Sequence, residues 1–453
     1  MSKTNPSLYD SILKFEIDQP SDYSFATRLA KENYWTKDFT RRAIEEYKKF
    51  MYMAAISDAM VSPSKPVDAV WHLHLTFTRS YGELCALLGK VVQHVPSTRS
   101  KVEAGRFRQA KTLTSDLYKR EFGAMPKDIW EFDTMYDSLQ LPKAKIKIRS
   151  FIIVALAVFA VLVIPAHLLL RPVFVELSSG DFFLYYLPAW VLLFVVLGVY
   201  NRAQLRNVFK KFDKTSFVYH LDPSELIYLK KQSTEEVVHS KVNAMIAEKK
   251  ISADQNNSVK INEGVEAKDS SEWVILDRLK DGPVNYITLL NQLSSLPVFT
   301  NADNSMLAFR KYFVKSKDFG ILFYVNFTAI MLLLLPGVAR MMTGIERGKP
   351  VVLIAVLLFI VAVVASVFLL RVSDLMTKKI VPEFFKQQRR TLAAVKHPEW
   401  DYFDSGILAA SFAPIVAHYY TTTSSSSDSG SSDSGSSCGS SCGSSCGGCG
   451  GGD

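Results

Sequence analysis

The stretch VDAVWHLHLTFTRSYGELCALLGKVVQH, Val67 to His94, gathers side chains suited to metal chemistry. His72, His74, Cys85 and His94 offer imidazole nitrogen and thiolate sulfur, both good zinc ligands. Asp68 precedes His72 by four residues, so on a helix the two share a face. Its carboxylate would there orient the His72 ring from behind, as carboxylates do around metal-bound histidine. A second set stands at the carboxy end, where Cys438, Cys442, Cys446 and Cys449 are separated only by Gly and Ser. Four thiolates at that spacing could wrap one zinc or copper(I) ion.

The elements that carry these residues argue for restraint. SPSKPVDAVW reads as a helix start, with Ser64 as N-cap and Pro66 in the first turn. Val67, Val70, Trp71 and His74 then fall on one apolar face. His72 and His74 lie about 200° apart on a regular helix, so an H-x-H chelate is not expected there. His74 reads as a core histidine bonded to a backbone carbonyl. Ser80 is read as the cap of the next helix, whose apolar face is Tyr81, Leu84, Cys85 and Leu88 and whose stop is Gly89. Cysteine on such a face behaves as a small hydrophobe. Trp71 and Tyr81 could line an aromatic pocket, but an aromatic core is the simpler reading. The Gly/Ser spacers of the tail supply no preorganisation, and low-complexity disorder is the reading preferred for residues 421–453. No HExxH, phosphate loop or nucleophile motif accompanies these residues, so no catalytic residue is assigned. No cofactor is predicted, and zinc at either set stays open.

Two resemblances attach to these residues. PVDAVWHLHLTFTRSYGELCALLGKVVQHVPS resembles the signature segment of the glycine-rich domain-containing protein family, through Val67, Asp68, Trp71, His72, His74, Ser80, Tyr81, Cys85 and His94. The whole chain resembles a group of uncharacterised bacterial membrane proteins that join such a domain to membrane spans, a DPxELxYL-like segment (here Leu221–Leu229) and a Gly/Ser/Cys-rich end. The resemblance implies a bacterial inner-membrane location. It supplies no reaction.

The rest of the chain sets the compartment. Hydrophobic residues make up 48% of 453 and mean hydropathy is +0.09, concentrated in four apolar runs. Ile148–Leu170, Phe182–Tyr200, Phe319–Ala339 and Val351–Leu370 are each long enough to cross a bilayer, which needs about 20 mostly apolar residues. Pro165, Pro188 and Pro336 interrupt the first three, which membrane helices tolerate. The amino terminus has no apolar core or cleavage site of a secretory signal. Lys and Arg crowd the segments before the first and third spans and after the second and fourth. Both termini and residues 201–318 are therefore expected in the cytoplasm. The net charge of +9 is explained by this flanking pattern rather than by nucleic acid.

The expected fold is mainly α. A helical domain over 1–142 leads into a transmembrane hairpin (143–200), then a cytoplasmic insert (201–318), a second hairpin (319–370), a juxtamembrane segment (371–420) and a disordered tail. The insert reads helix, helix, two short strands, then more helix over Ser271–Leu293, which resembles part of a winged helix. In it Asp222 caps the first helix and Thr234 the second. The second helix, STEEVVHSKVNAMIAEKK, has no Arg fork and no basic stripe, so protein rather than DNA is its expected partner. The expected function is a membrane-anchored interaction or scaffold protein, in contact with the bilayer and an unidentified protein partner. The alternative is a metal-binding or metal-dependent membrane protein using the Trp71–His94 segment or the tail.

Overall fold

The computed structural model describes residues 3–95, 101–254, 256–391 and 397–425. The cysteine tail and Gln255, between the two expected short strands, lie outside the described residues. Within them the protein is mainly helical, with one small sheet.

The amino-terminal segment forms α1 (Pro6–Lys14), α2 (Phe25–Asn33), α3 (Lys37–Ile56), α4 (Lys65–Thr76), α5 (Thr78–Leu88), α6 (Lys101–Phe122) and α7 (Lys127–Trp130). Thr36 caps α3 and Ser64 caps α4 through their side-chain oxygens, which accept from Phe39 and Val67 backbone N–H groups. Gly89 and Gly123 end α5 and α6 in the left-handed conformation that glycine adopts without penalty. One boundary differs from the sequence reading. The helix after α4 starts at Thr78, so Ser80 lies inside it and is no cap. A single kinked residue, Phe77, separates α4 from α5, and the Ser80 hydroxyl turns inward to His74 instead.

Two long helices follow, α8 (Ile148–Glu176) and α9 (Ser179–Lys211). The central segment contributes α10 (Pro223–Lys231), α11 (Thr234–Ala247), β1 (Ile251–Ala253), β2 (Ser258–Ile261), α12 (Ser270–Leu279), β3 (Val284–Asn285), α13 (Tyr286–Ser294) and α14 (Pro297–Val314). Asp222 and Glu225 form a reciprocal capping box on α10. The α11 cap is Ser233 rather than Thr234, because the Ser233 hydroxyl accepts from the Glu236 N–H. The strands make an antiparallel sheet in the order β1-β2-β3, with Ile251 opposite Ile261 and Val259 opposite Val284. The chain ends in α15 (Lys317–Glu346), α16 (Val352–Leu375), a π-helical turn over Met376–Ile380, α17 (Val381–Thr391), α18 (Pro398–Ser405) and α19 (Ala413–Ser425).

Four helices, α8, α9, α15 and the continuous α16–α17, are long and apolar enough to cross a bilayer. Their outward faces show Val, Leu, Ile and Phe in rows, including Leu169, Val191 and Phe359, an arrangement suited to lipid and costly in water. Two sets of polar side chains inside the bundle are paired across helices. Asn201 and Asn326 exchange side-chain hydrogen bonds of 2.9 and 2.7 Å between α9 and α15. Near the opposite end His167 meets Glu346 at 3.0 Å, and Arg171 bonds the same carboxylate at 2.9 Å.

Segments far apart in sequence share one buried core. Tyr47 and Trp71 from the amino-terminal segment, Leu226 and Tyr286 from the centre, and Phe403 and Phe412 from the carboxy-terminal segment belong to a single cluster. That cluster also takes in Leu205 near the end of α9, Phe319 at the start of α15 and Val372 near the end of α16. Burying a Leu- or Phe-sized side chain stabilises by about 1.5–3 kcal/mol, so every such contact resists separation of the segments.

Candidate metal centre

The two histidines of WHLHL occupy opposite sides of α4. His74 is wholly buried. Its Nδ1 lies 2.8 Å from the Tyr47 hydroxyl and its Nε2 3.1 Å from Ser80 Oγ. A neutral imidazole has one donor and one acceptor nitrogen, and these two hydroxyls satisfy both. Phe25 and Tyr81 pack edge-on against the ring at centroid distances of 5.8 and 5.4 Å. Burial pushes the His74 pKa down to about 4, so the ring is uncharged at neutral pH. Its nitrogens are occupied by hydroxyls rather than by the backbone carbonyl expected from sequence.

Cys85 is also buried, on the inner face of α5 beside Tyr81. Neither His74 nor Cys85 joins the other candidate ligands.

His72 points the other way, with more than half of its side chain exposed. Its Nε2 lies 3.5 Å from Asp68 Oδ2, one helical turn earlier on α4. His94 arrives from the segment after α5 and places its Nε2 3.1 Å from Asp68 Oδ1. The two imidazoles stand edge-to-face, 4.3 Å between centroids. One ligand atom from each of Asp68, His72 and His94 lies within 4.8 Å of the other two. The carboxylate is therefore a ligand-distance member of the cluster, not only a group behind His72.

A short chain of contacts fixes His94. The left-handed Gly89 ends α5 and returns the chain alongside α4. The Tyr81 hydroxyl donates to the Val92 carbonyl, and Trp71 Nε1 donates to that hydroxyl at 3.1 Å. Trp71 also packs against the His94 ring at 4.6 Å. Burial and the neighbouring Cys85 drive the Tyr81 pKa up to about 12, so the phenol remains a donor. Trp71 and Tyr81 thus position the cluster, a role their sequence pattern suggested only as aromatic packing.

Chemically the set matches borderline metals. Tetrahedral zinc with bonds of about 2.0–2.1 Å places adjacent ligand atoms about 3.3 Å apart. His94 Nε2 lies 3.1 Å from Asp68 Oδ1 and His72 Nε2 3.5 Å from Asp68 Oδ2, so the two imidazoles approach different oxygens of one carboxylate near that spacing. Three protein ligands leave a fourth position open, as in zinc sites that bind water or a substrate. Asp68, His72 and His94 line a cavity of about 490 Å³ together with Phe50, Trp71, Val92, Phe107 and Lys90. Comparison with protein-family models, curated proteins and solved structures gives no match for this chain.

Proposed function

We propose that the chain is a membrane-anchored protein that holds a divalent metal, zinc by preference, through Asp68, His72 and His94. The observation that carries this reading is the convergence of two imidazoles and one carboxylate within 4.8 Å beside a cavity. Neutral histidine and ionised aspartate at that spacing suit zinc, and the open position suits a ligand or water. The likeness of Pro66–Ser97 to the glycine-rich domain-containing family belongs to this reading, with the cluster as a shared feature to be tested. Elemental analysis of the purified chain, ending at Ser425 so that the tail cysteines are removed, tests it. About one zinc per chain, lost in the His72→Ala/His94→Ala variant, is expected. No metal, or metal kept by that variant, rejects it and leaves the three side chains as a hydrogen-bonded surface cluster.

A second reading, as an interaction or scaffold protein, is favoured by the single core that ties three soluble segments to the membrane helices. In it α8–α9 and α15–α16 cross a bacterial inner membrane as two hairpins, with both termini cytoplasmic, as the Lys/Arg flanks indicate. The α10–α13 region with its three-stranded sheet serves as a winged-helix-like module for a protein partner. The two readings are compatible, because metal binding and partner binding use different surfaces.

A further inference from the structure

A second cavity, of about 460 Å³, lies between α2 and α3 of the amino-terminal segment, α10, α11, α12 and α14 of the centre, and α18. Its lining combines an apolar wall with polar groups that the fold leaves unanswered. Trp35, Val237 and Phe299 form the wall, each at least nine-tenths buried. Ser240, 2% exposed, lines the same space with a hydroxyl that has no hydrogen-bond partner among the described residues. Asn301 donates through its amide nitrogen to the Thr27 carbonyl at 2.9 Å, which leaves its amide oxygen buried without a donor. An unsatisfied buried acceptor costs about 1–3 kcal/mol, which a donor group on a bound molecule would recover.

The charges point to the same chemistry. Asp222, Asp269 and Glu399 pair with Lys37 and Lys241 in the lining of the cavity. Glu272 also reaches Lys241 but holds Lys250. Of the other cations in the lining, Arg41 is taken by Asp38 and Glu45, and Lys48 by the Leu13 carbonyl. Glu225, in the capping box, keeps its proton at neutral pH, because burial and the nearby Asp222 raise its pKa to about 8. Around Lys37 and Lys241 the lining therefore sets three carboxylates against two ammonium groups, with a buried amide oxygen nearby in the lining that lacks a donor.

We propose that this cavity binds a small organic amine, its ammonium group among Asp222, Asp269, Glu399 and the Asn301 oxygen and its apolar body against Trp35, Val237 and Phe299. The site is independent of the metal cluster on α4. Its walls come from three separate segments of the chain, so occupancy would hold those segments together.

The test is calorimetric titration of the full chain in lipid nanodiscs with 2-phenylethylamine and with 3-phenylpropionate, matched in apolar body and opposite in charge. Saturable binding of the amine and none of the carboxylate is expected. Glu399→Gln should weaken the amine by at least about tenfold without lowering the melting temperature appreciably. Asn301→Asp, which adds a carboxylate where the acceptor stands, should tighten it. The His72→Ala/His94→Ala variant should bind the amine as the parent does, whether or not zinc is present. Absence of saturable amine binding, equal binding of the two probes, or unchanged affinity in Glu399→Gln would overturn the proposal.

Discussion

The inner and outer faces of α4 treat the same side chain in opposite ways. His74 sits in a dry pocket, neutral, with each ring nitrogen bonded to a hydroxyl. His72, two residues earlier, stands at the surface beside a carboxylate and a second imidazole. The lesson is that imidazole chemistry here follows from solvation and free valence. A histidine whose nitrogens are both bonded inside the core cannot also ligate a metal. One held at the surface by a single carboxylate can.

Several measurements would break or sharpen that contrast. The largest stability loss is expected from His74→Ala. It opens a cavity and leaves the Tyr47 and Ser80 hydroxyls unpaired, costing about 3–4 kcal/mol. Zinc stoichiometry should survive wherever the variant is folded, and loss of zinc with an intact melting transition would contradict the separation of the two faces. His94→Ala should do the reverse. It weakens zinc by at least about a hundredfold, while the metal-free melting curve moves by only about 1–2 kcal/mol, from lost packing on Trp71 and the lost contact with Asp68.

Acid provides a third comparison. The His74 imidazole titrates near 6.5 when unfolded and near 4 when folded. Between those values the unfolded chain takes up a proton that the folded chain refuses, so stability falls as pH drops from 6.5 to 4, by about 3 kcal/mol in all. His239, whose pKa burial also pushes to about 4, adds a loss of the same sign. Glu225 acts oppositely, its contribution being lost as pH rises from about 4.5 through 8. The difference between the parent and His74→Phe stability curves isolates the first histidine, and the two should converge towards pH 4. Parallel curves would mean that His74 is not held neutral.

Tyr81→Phe should give the smallest effect, because it reaches the metal cluster only through the Val92 carbonyl and Trp71. We expect about 1 kcal/mol of stability and about tenfold in zinc affinity. An unchanged affinity would show that the return of the chain after Gly89 suffices to place His94.

Much of this was legible in the residues. The caps at Ser64 and Asp222 and the stop at Gly89 follow from local backbone chemistry, which depends on a few neighbours only. The apolar runs announced four bilayer-length helices for the same reason. Ser80 and Thr234 were misassigned as caps, because the choice between adjacent hydroxyls depends on what lies nearby in space. For Ser80 that neighbour is the His74 ring. Asp68 was recognised as a companion of His72, but its closer approach to His94 was not.

The sequence by itself determined the helical class, the lengths of the apolar helices and the opposite facing of His72 and His74, all of which are set by short-range periodicity. Only the tertiary structure decided that His94 joins Asp68 and His72 while Cys85 and His74 do not. It alone also brought Lys37, Asp222, Asp269 and Glu399 around one cavity. Those meetings depend on how segments tens to hundreds of residues apart bury their apolar faces together, and no local pattern encodes that packing.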